Sequence, residues 1–449
     1  MRIPRLAQLL GTDFEDLDRR HLVELCDLHA AEDVDLDFKQ DNAYAKDADG
    51  LDEFAKDVTA MANARGGLIV IGVTENDQGD AEQLNPVAIS DKLHNQLIQG
   101  LRSRVFPFLP PDFRMRLIAD SPTTPERGYI LVGIPRSSVA PHAVRPTGGK
   151  GQQRYGYARR LGRTTAWLDE SEIAALYRDR FKLAEDHSHR VTAQFEDDGE
   201  WLATPAGGSM RLDVSLVPTG RAERRIDRTF LQEVRGFLGT LARPGAAPSA
   251  ALSRGLLGHA PEIRRGRMRI SGPGVHAVWH SDGSAHLQVD LTTDPAPASQ
   301  DTATAVLNLT LLESRVLYGL HLACAYAEWA GAYGDADVLA STSSPAHVLL
   351  DRTPLNGTAR FVPGMPVSSD AGNPCHRIGY LEALCNGSMQ VRAMAHDLCT
   401  DLLADYGVYE PTLLRSDATV RSERLAQRER AEMEAWLAST SGAAAPGGL

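Results

Sequence analysis

Cysteine is scarce in this chain of 449 residues, and the five present, Cys26, Cys324, Cys375, Cys385 and Cys399, show no CxxC spacing. Neither a zinc site nor a disulfide framework is expected. No run of about 18 apolar residues occurs, the length a bilayer-spanning helix needs. The opening Met1-Arg2-Ile3-Pro4-Arg5 lacks the apolar core of a signal peptide. A cytoplasmic protein with no membrane partner is the expectation. Net positive charge is also missing: 59 acidic residues against 47 Lys and Arg leave the chain at -12. That excludes a surface coated in basic groups, so any nucleic-acid site must be a local patch. The phosphate-loop pattern GxxxxGK[ST] occurs nowhere, and Gly148-Gly149-Lys150-Gly151 sits in a hairpin-like context, so an ATPase is not expected.

Fold and chemistry meet in one stretch. Val34, Leu36 and Phe38 alternate with Asp35, Asp37 and Lys39, a period of two that predicts a strand with one apolar and one charged face. Leu51, Phe54, Ala55, Val58, Met61 and Ala62 follow at helical spacing. Arg65-Gly66-Gly67 then ends the helix, and Leu68 to Val73 is an apolar run that fits a strand covered on both faces. A strand–helix–strand unit most often gives parallel neighbours, which would bring Asp37 and Lys39 beside Thr74 and Glu75. Carboxylates with a lysine at one sheet edge suit a hard divalent cation and a phosphate. The same spacing also describes a solvated charged face.

Residues 141–168 contain no Asp or Glu. They carry Arg145, Lys150, Arg154, Arg159, Arg160 and Arg163, with Tyr155, Tyr157 and Trp167 between them. Arginine forks pair with phosphates and aromatic rings offer stacking faces. One reading is an edge that tracks phosphates; the other is a basic hairpin paired with acids elsewhere.

The pattern Glu32, Asp37-Phe38-Lys39, Ala62-Asn63, Gly66-Gly67, Ile71-Gly72-Val73 and Glu75 resembles the Schlafen-type AlbA domain, formerly described as a divergent ATP-binding domain. The resemblance continues at Ile134-Pro135-Arg136-Ser137, Pro141-His142 and Tyr157-Ala158-Arg159 and spans residues 25–175. Asp37 stands where the family has glutamate, and Glu75 where it has aspartate; each keeps a carboxylate and changes its reach by one methylene. The resemblance implies an α+β or α/β architecture with an N-terminal mixed-sheet domain. It also implies a metal-dependent nuclease acting on RNA, tRNA included, or on single-stranded DNA, in stress or phage defence. Glu32, Asp37 and Glu75 would bind Mg2+ or Mn2+, and Lys39 would hold the scissile phosphate. Arg145, Lys150, Arg154, Tyr157, Arg159, Arg160 and Arg163 would contact nucleic acid. The alternatives are a non-catalytic nucleic-acid-binding transcriptional regulator and a nucleotide-binding protein. In larger Schlafen proteins two lobes form the groove; a homodimer, or a diverged lobe in residues 190–295, would supply the second here.

Elsewhere the pattern is read coarsely. Residues 14–31 are expected as a helix capped by Asp13 that delivers Glu32 to the site. Residues 89–105 are expected as a second helix, 113–118 and 129–134 as strands, and 169–183 as the helix closing a domain of residues 1–185. Glu185-Asp186-His187-Ser188-His189 reads as a boundary with exposed histidines. Residues 190–295 read as an α+β domain with a strand at 211–217, a helix at 227–241, a three-strand meander over 267–291 and a second basic stretch (Arg254, Arg264, Arg265, Arg267, Arg269). A linker at 294–302 leads to a mainly helical domain over 303–438, with helices at 309–330, 379–403 and 421–437, and a disordered tail at 439–449. His321, His347, His376 and His396 are taken as structural.

Overall fold

The computed structural model describes residues 9–441 other than 13, 46, 111–112, 136, 138, 147–153, 203–209, 223, 292–303, 344–346, 356–360, 363–372 and 387. The chain divides into two compact units, Met1–Asp186 and His187–Leu449.

In the first unit, a 3-10 turn at Phe14–Asp16 precedes α1, Arg19–Asp27. The expected cap, Asp13, lies outside the described residues. The α1 cap is Asp18, whose carboxylate accepts the amides of Arg20 and His21 while His21 Nδ1 accepts the Asp18 amide, a reciprocal box that satisfies free helix donors. The helix stops well short of residue 31: His29 adopts φ 47°. Glu32 is therefore placed not by a helix but by pairing, with Ala31 bridged to Asp80 and the Glu32 amide donating to Gly79 O at 3.0 Å.

Strand β1, Leu36–Lys39, starts after a tight turn closed between Asp33 and Leu36. Helix α2, Ala48–Ala62, buries Phe54, Val58 and Met61, and β2, Gly67–Ile71, is buried along its whole length. The two strands are parallel, Leu36 beside Leu68 through Lys39 beside Ile71, as the crossover rule requires. Gly67, at φ 147°, is needed here because a Cβ would strike the Asp35 backbone. Strand β3, Val73–Glu75, pairs with β4, Ala81–Leu84. Then come β5, Val87–Ala88; α3, Asp91–Arg104; β6, Val105–Phe106; β7, Arg114–Ala119; and β8, Arg127–Ile134. Strand β8 runs antiparallel to β2, β5 and β7, which makes the sheet mixed. Helices α2 and α3 cover one face through Phe54, Met61, Leu97 and Leu101. Phe14, Leu22 and Leu25 cover the other, against Phe38, Val70 and Leu131. Strand β9, Ala143–Val144, pairs with β6, and β10, Ala158–Leu161, forms a hairpin with β11, Thr164–Trp167.

Helix α4 runs over Glu170–Leu202, far beyond the expected residue 183. The charged stretch at 185–189 has no Gly or Pro to break a helix, so polarity there does not mark a linker.

The second unit contains β12, Arg211–Gly220; α5, Arg228–Leu241; α6, Ala250–Leu256; β13, Glu262–Arg264; β14, Arg267–Gly272; β15, Val275–His280; and β16, Ala285–Asp290. It continues with β17, Thr304–Asn308; α7, Leu309–Ala330; β18, Tyr333–Ser343; β19, His347–Asp351; β20, Phe361–Val362; β21, Cys375–Tyr380; α8, Leu381–Asn386; α9, Ser388–Ala404; and α10, Gln427–Ser441. One sheet has the order β13-β14-β15-β16-β12-β18-β21. Every pairing in it is antiparallel. Strand β12 lies between β16 and β18, so the expected regions 190–295 and 303–438 share one sheet and one core rather than forming two domains. The meander and the helical C-terminal region are present as expected. Among the described residues this sheet has no parallel strand–helix–strand unit, unlike the pairing of β1 with β2 in the first unit. Residues 439–441 belong to α10, and the rest of the expected tail lies outside the described residues, as does the expected linker at 294–302. Among the described residues no helix is long and apolar enough to cross a membrane.

Candidate nucleic-acid site

The two-residue period of β1 sets Asp37 and Lys39 on the same face of the strand. Asp37 is 1% exposed. A carboxylate this deep needs positive charge close by, and it has two sources. Arg160, from β10, places Nη2 2.7 Å from Oδ1, and Lys39 places Nζ 2.7 Å from Oδ2. The Oδ2 contact is ionic, since that oxygen has no aligned hydrogen bond. Burial pushes the Asp37 carboxyl up, but Lys39 and Arg160 outweigh it and hold it below its usual range.

Glu32 lies beside this pair. Its Oε1 accepts the Phe38 amide at 2.8 Å, and its Oε2 is 3.8 Å from Arg160 Nη2. Burial first, and then the neighbouring Asp37, raise its pKa to about 8. Glu75, at the end of β3, is also raised, by burial and by Asp37, with Lys39 opposing. Asp37 and Lys39 thus act on the Glu75 carboxyl in opposite directions, which puts the groups named from the sequence in one electrostatic neighbourhood.

One residue of the site was not foreseen, and one motif residue had no role assigned to it. Asp57, on α2, accepts the Tyr44 hydroxyl at 2.7 Å, is raised by burial and acts on Lys39. Its signal in the sequence is an acid on the apolar stripe between Phe54 and Val58. The motif residue Asn63 gains its role here: its amide donates to His142 O and Ala158 O at 2.8 and 2.9 Å, and its Oδ1 accepts the His142 amide at 2.6 Å. It fastens the end of α2 to the segment carrying Arg160. His142 is buried, donates from Nδ1 to Pro107 O and accepts from Ser137 Oγ; burial lowers its pKa. The Asn63 and Pro141-His142 motif positions are therefore structural.

The basic residues fall into separate places. Arg160 belongs to the acidic centre: its side chain is 4% exposed, and Nε donates to Gly162 O at 3.1 Å. It is not an exposed backbone contact. Arg154 is exposed and Arg159 half-buried. Arg163 reaches Asp80 at 3.4 Å, and Arg145 lies 4.8 Å over the Phe106 ring. The Tyr157 hydroxyl is 3.0 Å from that of Tyr177, and burial raises its pKa to about 12. Lys150 lies outside the described residues.

Among the described residues, no three His, Cys, Asp or Glu side chains converge as a set able to hold a metal. The donor chemistry of Glu32, Asp37 and Glu75 is nonetheless of the kind a hard divalent cation takes: all three offer oxygen, and burial holds Glu32 and Glu75 above their usual range, which a cation would reverse.

Residues 32–162 match the family model "Schlafen, AlbA_2". Among solved structures, the DIP2311 protein from Corynebacterium diphtheriae is similar at 18% identity with a TM-score of 0.24, over 40% of this chain. The chain covers 29% of that protein's length. No curated protein matches it. The N-terminal unit therefore carries, over residues 32–162, a Schlafen AlbA_2 domain, which ties it to a nucleic-acid-related role.

Proposed function

We propose that the N-terminal unit hydrolyses phosphodiester bonds in RNA, tRNA included, or in single-stranded DNA, with Mg2+ or Mn2+. The observation that carries this reading is the buried Asp37, held between two cations and flanked by Glu32 and Glu75, on the face of β1 that Arg160 of the basic hairpin also reaches. Glu32, Asp37 and Glu75 would hold the metal, which when bound activates water and neutralises phosphate charge. Lys39 is the cation placed to meet substrate. Its side chain is 33% exposed against 4% for Arg160, so its ammonium can turn from Asp37 to a phosphate oxygen. Arg160 orients Asp37 through Oδ1 and keeps it ionised. Arg154 and Arg159 hold the backbone on either side. A cytoplasmic role in stress or phage defence belongs to the same proposal.

The test is cleavage of total tRNA and of single-stranded DNA with Mn2+, comparing wild type with a Glu32→Ala/Asp37→Ala variant. Cleavage lost in the variant supports the reading. A second reading, a nucleic-acid-binding module without catalysis, is favoured by the lack of a converged carboxylate set among the described residues. It prevails if neither protein cuts and both bind equally well.

A further inference from the structure

Among the described residues five aromatic side chains are exposed: Phe108, Tyr155, Trp167, Phe181 and Tyr409. Four of the five come from residues 108–181, within the first unit. Single exposed apolar residues need no explanation, but Tyr155, Trp167 and Phe181 lie along one path of neighbouring residues. Tyr155 meets Phe106 edge-on, with centroids 5.9 Å apart. Next in sequence is Gly156, where a Cβ would come within 2.6 Å of the Trp167 ring. Glycine there lets the indole lie directly on the backbone, with the side chain 54% exposed. The residue after that, Tyr157, stands 6.1 Å from Tyr177, and Tyr177 stacks on Phe181 at 6.2 Å with 27° between the rings. Tyr177 and Phe181 are four residues apart on α4, which puts them on one helix face. Phe181 closes the row with 66% of its surface exposed.

The charge around the row identifies its ligand. Residues 141–168 carry no acid, Arg145 lies over the Phe106 ring at 4.8 Å, and Arg154 beside Tyr155 is exposed. Exposed rings at Tyr155, Trp167 and Phe181, with guanidinium groups at the Tyr155 end, match a strand whose bases stack and whose phosphates carry the charge. In a duplex those base faces are hidden. We propose that this row is a base-stacking platform for single-stranded nucleic acid, so that the strand brought to the acidic centre is unpaired. The proposal deepens the nuclease reading by naming its substrate class, and it rests on that reading only for cleavage. Trp167, Tyr177 and Phe181 lie beyond the residues matched by the family model.

The test is fluorescence anisotropy in EDTA, with labelled oligo(U) and oligo(dT) and a duplex of the same length. Phe181→Ala removes an exposed ring and leaves the core intact; Phe181→Trp keeps a stacking face. Phe181→Ala is expected to weaken single-strand binding about fivefold or more, with an unchanged salt slope, while Phe181→Trp binds as wild type. The platform is overturned if Phe181→Ala and Trp167→Ala both bind within about twofold of wild type, if the duplex binds at least as well, or if wild type binds neither. Weakened binding by Phe181→Ala in a protein that never cuts would keep the platform and remove the nuclease. Glu32-dependent cutting with normal Phe181→Ala binding would do the reverse.

Discussion

Asp37 shows why one residue's role depends on a partner distant in sequence. Alternation with Leu36 and Phe38 reads as an outward, solvated position, yet the side chain is buried because Arg160 closes over it. Removing one partner of a buried ion pair leaves the other charge uncompensated. Arg160→Ala is therefore expected to destabilise the first unit by about 3–5 kcal/mol, whereas Arg154→Ala, at an exposed position, should change stability little. Urea denaturation of the two variants decides this, and equal midpoints would refute the assigned role of Arg160. A second residue-scale effect concerns His321, partly buried on α7, with Nδ1 3.1 Å from Ser249 Oγ and its ring edge-on to Trp436. Burial lowers its pKa to about 4 from the ordinary 6.5. The unfolded chain takes up this proton as pH falls through the ordinary value, while the folded chain resists until the lowered one. Stability is full above pH 6.5 and is lost between there and about pH 4. The loss is at most about 3 kcal/mol, and less where solvent reaches the ring. His321→Gln should flatten that part of the stability–pH curve; curves that stay parallel would sink the assignment.

At the scale of elements, α7 carries a device that spacing could not reveal. Glu313 lies on an apolar helix, fully buried. Its carboxylate accepts the amides of Thr412, Leu413 and Leu414 at 2.7 to 2.9 Å and the Thr412 hydroxyl at 2.9 Å. One side chain thus satisfies a turn's worth of backbone donors that would otherwise be buried unpaired. Glu313→Gln turns an amide N–H2 toward those donors and should cost about 2–4 kcal/mol. Hydrogen exchange should show residues 412–414 losing protection first; a variant as protected as wild type would exclude this role. What was legible in the sequence divides along the same line. Strand β1, helix α2 and the hairpin of β14 with β15 are written in local periodicity and glycine placement, and the structure has them close to their expected limits. Of the acids at the candidate site, Asp37 was legible in the alternation of β1, whereas Glu32 is placed by the pairing of Ala31 with Asp80 and Asp57 sits buried on a helix. The Arg160–Asp37 pair, the Asn63 clamp and the Glu313 clasp join residues 79 to 123 positions apart. Single-sequence periodicity holds no record of such pairings. Strand β18 carries no such alternation: every residue from Ala336 to Thr342 is buried, and alanine is too small and too good a helix former to mark a strand by itself.

For the molecule as a whole, the division after Asp186 and the shared sheet beyond it make a sharp claim about folding. Strand β12 pairs with β16 over Arg211–Leu216 and with β18 over Arg211–Gly220. On its inner side α7 supplies Leu312, Val316, Leu320 and Ala323 to the same core as Val214 and Leu287. A chain cut at residue 295 loses β18, α7 and α9 together. That strips one edge from β12 and leaves its apolar face bare, and each large side chain so exposed costs about 1.5–3 kcal/mol, more in sum than a typical domain's whole stability. The fragment 1–295 is therefore expected to keep the first unit folded while residues 211–290 lose their amide protection. The fragment 187–449 should unfold in one cooperative step. Hydrogen exchange on the first fragment and calorimetry on the second read these outcomes directly. Slow exchange in β14–β16 of fragment 1–295 would show that the meander folds without α7, and the second unit would then be two domains after all.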